Sequence, residues 1–203
     1  MPVKGFYFIT DSRLSRHGIV SDVKAAIKAG VEIVQYRQKD KTSRQMIKEA
    51  MLLRRICRKA LFLINDRVDI ALAVGADGVH LGQDDMSLPE ARKLLGKNKI
   101  IGATVHNVKE ALFAQKQGAD YLGVSPIFPT RTKSDAGVAI GIKTLIKIRK
   151  KTRIPIVALG GINLQNAEEV TRNGADMVCA ISAVVGKKDV YSEVMKFRKA
   201  FLG

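Results

Sequence analysis

The sequence predicts a (β/α)8 barrel, and three observations carry that prediction. Eight short runs of β-branched and apolar residues alternate with stretches of helical spacing along the chain. Strands that are apolar on both faces, each followed by a helix, are typical of parallel sheets. A phrase that places glycine before a buried strand recurs as AGVEIV, VGADGV, QGADYLGV and NGADMVCA. We therefore expect one domain over residues 1–203, a length at the small end for this fold.

The elements can be assigned in chain order. The predicted strands are residues 6–11, 33–39, 61–66, 78–83, 100–106, 121–126, 154–161 and 176–185. Several helical segments between them open with capping pairs, which are Thr42 with Gln45, Ser87 with Glu90, and Asn107 with Glu110. In the recurring phrase, glycine supplies the left-handed residue that ends a helix, so the chain turns directly into the next strand.

A doubly wound open sheet is the alternative architecture for the same alternation of strands and helices. Such a sheet would carry a glycine-rich dinucleotide-binding turn after its first strand. The segment ITDSRLSRHG, which follows the first predicted strand, contains no such turn. The sequence therefore favours the closed barrel.

Composition limits the classes of partner. Lys and Arg outnumber Asp and Glu by 35 to 19, which gives a formal net charge of +16, but aromatic residues make up only 5%. A platform for single-stranded nucleic acid would need aromatic residues among the basic ones. We interpret the charge as a solvated basic face that also attracts small polyanions. No apolar run reaches the ~18 residues of a membrane span. We expect small-molecule partners, no nucleic acid and no membrane, and the sequence leaves a homo-oligomer open.

Cysteine usage and the first residues predict the compartment. Cys57 and Cys179 are isolated and have the spacing neither of a disulfide framework nor of a zinc site. The segment MPVKGFYFITD is too short and too quickly acidic for a secretory signal. We therefore expect a reducing, cytoplasmic location.

Polar residues collect where the predicted strands end, which is where barrels of this type carry their sites. Asp66 and Asp85 follow neighbouring strands about 5 Å apart, and two such carboxylates can hold one Mg²⁺ together with waters and a substrate phosphate. The alternative is that Asp66 caps the helix that follows it and that Asp84 or Asp85 caps the next one, and spacing alone does not separate the two interpretations. Arg37 and Lys39 should project from strand 2 to the same face as Gln35. They would bind an anionic substrate or, alternatively, form salt bridges with the two aspartates.

Two further segments contain the residues of a phosphate cradle. The loop after strand 6 offers the hydroxyls of Thr130 and Thr132, the charge of Lys133 and free backbone N–H groups. In ALGGIN after strand 7, Gly160 and Gly161 allow the backbone to approach an anion closely. The strand ends are therefore predicted to hold two phosphorylated groups, one with magnesium and one without.

Few groups at the strand ends could move a proton. We interpret His80 as a buried, hydrogen-bonded strand residue, whereas His106 at a strand end stays open as a proton-transfer group. No serine or cysteine stands beside a base in a nucleophile motif. A site rich in anion binders and poor in bases suits the departure of a phosphate-type leaving group.

Five segments of the sequence resemble a known family. They are VQYRQK, INDRVDIALAVGADGVHLGQDDM, GADYLGVSPIFPTRTKSDA, ALGGIN and GADMVCAISAV, and the similarity runs from about Tyr7 to Ala183. The family is thiamine phosphate synthase, which has the (β/α)8 fold. The resemblance implies that hydroxymethylpyrimidine diphosphate and a thiazole phosphate are joined to give thiamine phosphate. It also implies a dissociative reaction, in which pyrophosphate leaves before the thiazole nitrogen captures the pyrimidinylmethyl cation.

The resemblance also implies roles for single residues. Carried over by position, Arg37, Lys39 and Lys133 would act on the departing diphosphate, and Asp66 and Asp85 would hold Mg²⁺. The residues that would bind the two substrates are Gln35, Tyr36, Arg37, Gln38, Lys39, Asn65, Thr104, Thr130, Arg131, Thr132, Lys133, Gly161, Ile181 and Ser182. At three positions Gln38, Thr104 and Ser125 stand where the family usually has glutamate, serine and glycine.

Two rival functions stay open. The thiazole tautomerases share the barrel but isomerise the thiazole by proton transfer, for which His106 would be needed. They tend to lose the second metal carboxylate and the PT.TK loop, and this sequence keeps both. A non-catalytic binder of phosphorylated metabolites or RNA would show salt-sensitive binding without turnover.

Overall fold

The computed structural model describes residues 4–132 and 137–202, with side chains described up to residue 200. Eight parallel strands form a closed barrel in which each strand pairs with the next in sequence and the eighth pairs with the first. This closure confirms the predicted (β/α)8 barrel. The open-sheet alternative is wrong because an open sheet would leave the first and last strands apart.

Strands and helices alternate along the chain. The strands are β1 Gly5–Ile9, β2 Ile33–Tyr36, β3 Leu61–Asn65, β4 Gly78–Leu81, β5 Ile100–Val105, β6 Tyr121–Val124, β7 Ile156–Ala158 and β8 Met177–Val178. The helices of the described residues are α1 Ile19–Lys28, α2 Ser43–Ile56, α3 Val68–Val74, α4 Leu88–Leu95, α5 Val108–Lys116, α6 Gly141–Lys151, α7 Ala167–Arg172, α8 Ile181–Val184 and α9 Val190–Leu202.

All eight predicted strands are longer than the observed ones, and the differences are largest at β2, β7 and β8. Strand β2 ends at Tyr36 because the side-chain oxygen of Gln38 accepts the backbone N–H groups of Lys39 and Asp40, which replaces strand pairing with a local turn. Strand β8 has two residues, and α8 follows within the segment predicted as strand. A short apolar run does not distinguish strand from helix by its periodicity, which explains the error at β8.

The predicted helix ends are confirmed. Thr42 and Gln45 form a complete capping box at α2, and the side chains of Ser87 and Asn107 accept backbone N–H groups at the starts of α4 and α5. The first glycine in each copy of the recurring phrase has a positive φ, and these residues are Gly30, Gly75, Gly118 and Gly174. These glycines end helices and return the chain to the sheet.

The core has two layers. The larger layer lies between the strands and the surrounding helices. The smaller layer fills the barrel interior and consists of Tyr7, Ile9, Ile33, Leu63, Tyr121, Val157, Met177 and Cys179. Because side chains alternate between these layers along each strand, residues past the strand ends lie above a filled barrel. In the described part of the chain, no helix is both long and apolar enough to span a bilayer.

Candidate active site

A cavity opens at the carboxyl ends of the strands. It encloses about 630 Å³, including space open to solvent, and adjoins a second space of about 270 Å³. Thr130, Thr132 and Ile181 line both spaces, so the two are continuous. Of the other predicted substrate-binding residues, the first space is lined by Gln35, Arg37, Asn65 and Thr104, and the second by Gly161 and Ser182. The structure thus brings together residues that follow six different strands.

A separate groove lies outside the barrel between α4 and α5. Its walls include the apolar side chains of Leu88 and Phe113, and its charged groups are Asp85 and Glu110. Among the described residues that line the groove there is no Lys or Arg, so a phosphorylated molecule would find no positively charged partner there. We therefore place the candidate site in the barrel mouth.

Two cations follow β2, and of these Arg37 lines the cavity, whereas Lys39 is not among its described lining residues. Arg37 is mostly buried, and its guanidinium lies 3.8 Å from the carboxylate of Asp11. Lys39 is more exposed, and its ammonium lies 2.6 Å from Oδ2 of Asp66. This last contact is a salt bridge of the kind expected as the alternative to anion binding. Gln38 is also buried, but its side-chain oxygen is used by the local turn.

Asp66 is held in an unusual backbone conformation. Its φ is 63°, and among the described residues it is the one non-glycine residue with positive φ. Its N–H donates to the carbonyl of His80 on β4 at 2.8 Å. The left-handed conformation is uncommon outside glycine and is often found at functional sites. Here it turns the chain between β3 and α3 at the edge of the site.

The helix-capping alternative for the two aspartates is wrong. Helix α3 has no side-chain cap, and α4 is capped by Ser87. The carboxyl groups of Asp66 and Asp85 instead contact each other, and Oδ2 of Asp85 accepts the N–H of Gly82 at 2.6 Å. The two aspartates therefore form one acidic pair beside the cavity.

The electrostatics of this acidic pair suit a cation. Burial alone would raise the pKa of Asp66, but the hydrogen bond with Asp85 and the ammonium of Lys39 outweigh it and hold this pKa below its usual value. Burial and the hydrogen bond with Asp66 raise the pKa of Asp85. A divalent cation between the two carboxyl groups would favour the negatively charged form of both.

The donor set fits Mg²⁺ better than zinc. Within the described ranges, no third His, Cys, Asp or Glu joins the pair to make a larger metal-ligand cluster. Zinc usually takes three or four protein ligands, whereas Mg²⁺ is often held by one or two carboxylates, with waters and substrate phosphates completing its coordination. Asp66 and Asp85 are therefore the residues that could hold Mg²⁺.

The two predicted phosphate segments lie side by side. Gly160 and Gly161 have φ values of 90° and 64°. A Cβ at Gly161 would lie 2.7 Å from the carbonyl oxygen of Pro129, so the loop after β6 fills the space above it. The backbone N–H of Thr132 donates to Oγ1 of Thr130 at 3.3 Å, which shapes the next part of this loop.

For two other predicted residues of this loop, the structure does not show a place in the site. Arg131 is exposed, and it does not line either of the two spaces in the part of the chain that is described. Lys133 lies outside the described residues. Its predicted role therefore rests on the sequence resemblance.

Comparison with known proteins identifies the family. A sequence model described as thiamine monophosphate synthase matches residues 6–184. This chain belongs to the thiamine monophosphate synthase family. A thiamine-phosphate synthase of Methanosarcina barkeri is 53% identical over 193 residues, which cover 95% of this chain and 88% of that protein. A second, from Chloroflexus aurantiacus, is 52% identical over 197 residues, covering 95% of this chain and 90% of that protein.

A solved structure agrees with this assignment. The thiamine phosphate pyrophosphorylase of Pyrococcus furiosus superposes with a TM-score of 0.90 and 44% sequence identity, covering 98% of this chain and 96% of that one. The resemblance to the family and the barrel that it implied are thereby confirmed.

Two candidate residues do not lie at the cavity: Tyr36, which the family resemblance suggested, and His106, which its place at a strand end suggested. The side chain of Tyr36 points into the layer between barrel and helices, where its hydroxyl donates to Glu49 at 2.7 Å. The ring of His106 contacts Glu110 at 2.9 Å on the first turn of α5. Neither side chain is among those that line the cavity in the described residues. A thiazole tautomerase reaction that depends on His106 is therefore not favoured by the geometry.

His80 is buried and hydrogen-bonded, as the sequence predicted, but it also lines the cavity. Its hydrogen-bond partners are Tyr121 below the cavity and Thr104 at the edge. Sequence reasoning missed Tyr121 and its neighbour Tyr7. Strand alternation could have identified them, because Tyr7 is two residues before Ile9 and Tyr121 two before Gly123, on the inward faces of β1 and β6.

Proposed function

We propose that this protein is a magnesium-dependent thiamine phosphate synthase. It joins hydroxymethylpyrimidine diphosphate to a thiazole phosphate, forms thiamine phosphate and releases pyrophosphate. The observation that carries the proposal is the continuous two-part cavity, which Arg37 lines, together with Lys39 and the acidic pair of Asp66 and Asp85, which follow the neighbouring strands β2, β3 and β4. Relatives more than 50% identical over 95% of the chain, which bear that name, support the same activity.

The charged groups suit the departing diphosphate. Arg37 lines the larger space, and the nearby Asp11 carboxylate helps to hold its guanidinium, whose paired N–H groups match two phosphate oxygens. Lys39 adds a second positive charge, which could move from Asp66 to the substrate. Mg²⁺ held by Asp66 and Asp85 would neutralise charge that accumulates on the leaving pyrophosphate. Lys133 would supply a third cation.

The smaller space suits the phosphate of the thiazole. Thr130, Thr132, Gly161 and Ser182 line this space, where the two threonines would offer hydroxyl groups and the other two residues would offer backbone N–H groups. These donors are neutral, so this phosphate would be held without a second metal. Because Thr130 and Thr132 also line the larger space, the two substrates would meet beside them.

The proposed reaction needs no base on the attacking atom. The carbon–oxygen bond of the pyrimidine substrate breaks, and its electron pair leaves with pyrophosphate. The thiazole nitrogen then donates its lone pair to the resulting carbon cation, and this nitrogen carries no proton. The ring of His106 is bound to Glu110, which agrees with a mechanism that does not use this histidine as a base.

The activity test combines the two purified substrates with the protein and follows thiamine phosphate, with EDTA and with Mg²⁺ restored. We expect product with Mg²⁺ and little with EDTA. Equal rates in both conditions would refute the metal role. Isomerisation of the thiazole without joining to the pyrimidine would support the tautomerase alternative, and binding without any turnover would support a non-catalytic protein.

We also propose a reducing, cytoplasmic setting. Cys57 is buried in the outer layer and Cys179 inside the barrel, and both are free thiols. Burial raises the pKa of Cys57 to about 12 and also raises that of Cys179, so both stay protonated and unreactive. Fractionation of the native host followed by immunodetection would test the location.

A further inference from the structure

A series of hydrogen-bonded side chains crosses the barrel interior beneath the cavity. Nε2 of Gln35 donates to the hydroxyl of Tyr7 at 2.9 Å, and the hydroxyls of Tyr7 and Tyr121 are 2.7 Å apart. Nδ1 of His80 lies 2.8 Å from the Tyr121 hydroxyl, and its Nε2 lies 2.9 Å from Oγ1 of Thr104. We call these five residues the interior network. Its two ends, Gln35 and Thr104, both line the cavity.

The sequence makes room for this network with two strand glycines. A Cβ at Gly102 would overlap the ring of Tyr121, and one at Gly123 would lie 2.7 Å from Cε1 of His80. Glycine weakens a strand and often marks a close approach of other groups. Apolar side chains could fill the same interior without buried hydroxyl and imidazole groups, which need partners there. The network is therefore a built feature with a role beyond filling space.

The direction of the protons along the network follows from counting donors. Because the amide of Gln35 donates to Tyr7, the proton of Tyr7 is left for Tyr121, and that of Tyr121 for Nδ1 of His80. A neutral imidazole has one donor and one acceptor nitrogen. In a neutral His80, Nε2 then carries the proton and donates to Oγ1 of Thr104, 2.9 Å away.

This direction fixes which end of the network offers a hydrogen-bond donor to the cavity and which end offers an acceptor. The hydroxyl proton of Thr104 is left for an acceptor in the cavity, and the amide oxygen of Gln35 is left for a donor. Burial raises the pKa of both Tyr7 and Tyr121, which keeps their hydroxyl protons in place. The opposite direction would require Gln35 to turn its amide over, so that its oxygen accepts from Tyr7.

We propose that His80, Tyr121 and Tyr7 are positioning residues that fix which ring edge the cavity accepts. Through them, Gln35 presents an acceptor and Thr104 presents a donor. The matching edge is an amino group next to an unprotonated ring nitrogen, as in an aminopyrimidine. A ring with an oxo group and a protonated nitrogen presents the reverse pattern and is rejected. This inference rests on the proposed function, because it assigns the edge of the pyrimidine substrate that is recognised.

The first test measures the proton position directly in the substrate-free protein. Histidine labelled with ¹⁵N distinguishes protonated from unprotonated ring nitrogens, and His80→Asn identifies the signals of His80 among the three histidines. We expect His80 to be neutral with its proton on Nε2. A proton on Nδ1 would overturn the proposal. This result does not depend on turnover, so it stands even if the protein forms no thiamine phosphate and the proposed function fails.

The second test cuts the network with Tyr121→Phe, which removes one hydroxyl and keeps the ring. We expect KM for the pyrimidine diphosphate to rise about tenfold, with KM for the thiazole phosphate unchanged. The preference for the amino substrate over its oxo analogue should fall, and His80 should lose its single tautomer. If Tyr121→Phe does not fold, Tyr7→Phe cuts the network at the neighbouring hydroxyl.

Tyr191→Phe is the matched control, because Tyr191 lies partly exposed on α9, where its ring contacts Lys28. It should change neither KM value. Unchanged KM and unchanged amino-over-oxo preference in Tyr121→Phe would overturn the proposal. An equal rise in both KM values would also overturn it, because that result would indicate a general structural effect.

Discussion

Replacement of Asp85 by asparagine should separate the stability of the site from its function. The carboxyl groups of Asp85 and Asp66 are in contact, and both would be negative when ionised. Asparagine has nearly the same shape and keeps an oxygen that can accept the N–H of Gly82, which lies 2.6 Å from Oδ2 in the present protein. The variant therefore removes a charge and leaves the packing and this hydrogen bond in place.

The removal of this charge should stabilise the metal-free protein. Two unit charges about 4 Å apart repel by about 4 kcal/mol at an effective dielectric constant of about 20. The nearby Lys39 and partial exposure to solvent reduce this value, so we expect a gain of about 1 kcal/mol. For a chain of this length, that gain corresponds to a rise of about 2–4 °C in the melting midpoint. Circular dichroism melts in EDTA measure it.

Asp85→Ala is the control for this measurement. It removes the same charge but also loses the acceptor for the Gly82 N–H, which costs about 1 kcal/mol. Its melting midpoint should therefore stay close to that of the unchanged protein. An Asp85→Asn variant that melts at a lower temperature in EDTA would refute the argument from like charges.

Turnover by Asp85→Asn should fall, although the stability of its metal-free form rises. A ligand that binds the folded state raises the melting midpoint, so Mg²⁺ should raise that of the unchanged protein and have a much smaller effect on Asp85→Asn. Loss of one of two metal ligands should reduce turnover about 100-fold, as for other charge-stabilising groups. Unchanged turnover in Mg²⁺ would show that Asp85 does not hold the metal.

Further variants test other parts of the site. Lys39→Met should reduce kcat about tenfold in a steady-state assay, and an unchanged kcat would leave Lys39 only as the partner of Asp66. Thr132→Val should raise KM for the thiazole phosphate about tenfold, and a change confined to KM for the pyrimidine substrate would contradict the assignment of the two spaces. His106→Ala should retain turnover, because its ring is bound to Glu110; loss of activity would reopen a proton-transfer role. Gly102→Ala should lower the free energy of unfolding by about 1–3 kcal/mol in urea titrations, and an unchanged value would refute the close packing of Tyr121 on it.

Much of the fold could be predicted from local patterns. The helix caps at Thr42, Ser87 and Asn107 and the repeated glycines are signals within a few residues of each other, and all are present in the structure. The ends of β2 and β8 were wrong because they depend on which partner each backbone N–H finds. That choice is made by side chains and by neighbouring strands, and periodicity does not reveal it.

The site was predictable where a residue's position along its strand decides its direction. Gln35 and Thr104 face the cavity because they share the inward phase of β2 and β5, and the same rule would have removed Tyr36 from the predicted set. Contacts beyond the strand ends were harder to predict. The positive φ of Asp66 and its contact with Asp85 depend on the turn after β3, for which the sequence has no glycine signal.

The interior network depends on strand register, which explains why the sequence alone did not show it. Gly102 is paired with Tyr121, and Thr104 is paired with Gly123. In both pairs, a glycine on one strand lies beside a larger residue on the next strand. A shift of β6 by two residues would keep every side chain on its present face, yet it would set Tyr121 against Thr104 and leave its ring without the space above Gly102. Hydrophobic alternation tolerates that shift, whereas the glycines do not. Gly102 and Gly123 limit how β5 and β6 can pack, and they therefore also determine which side chains of the interior network reach the substrate.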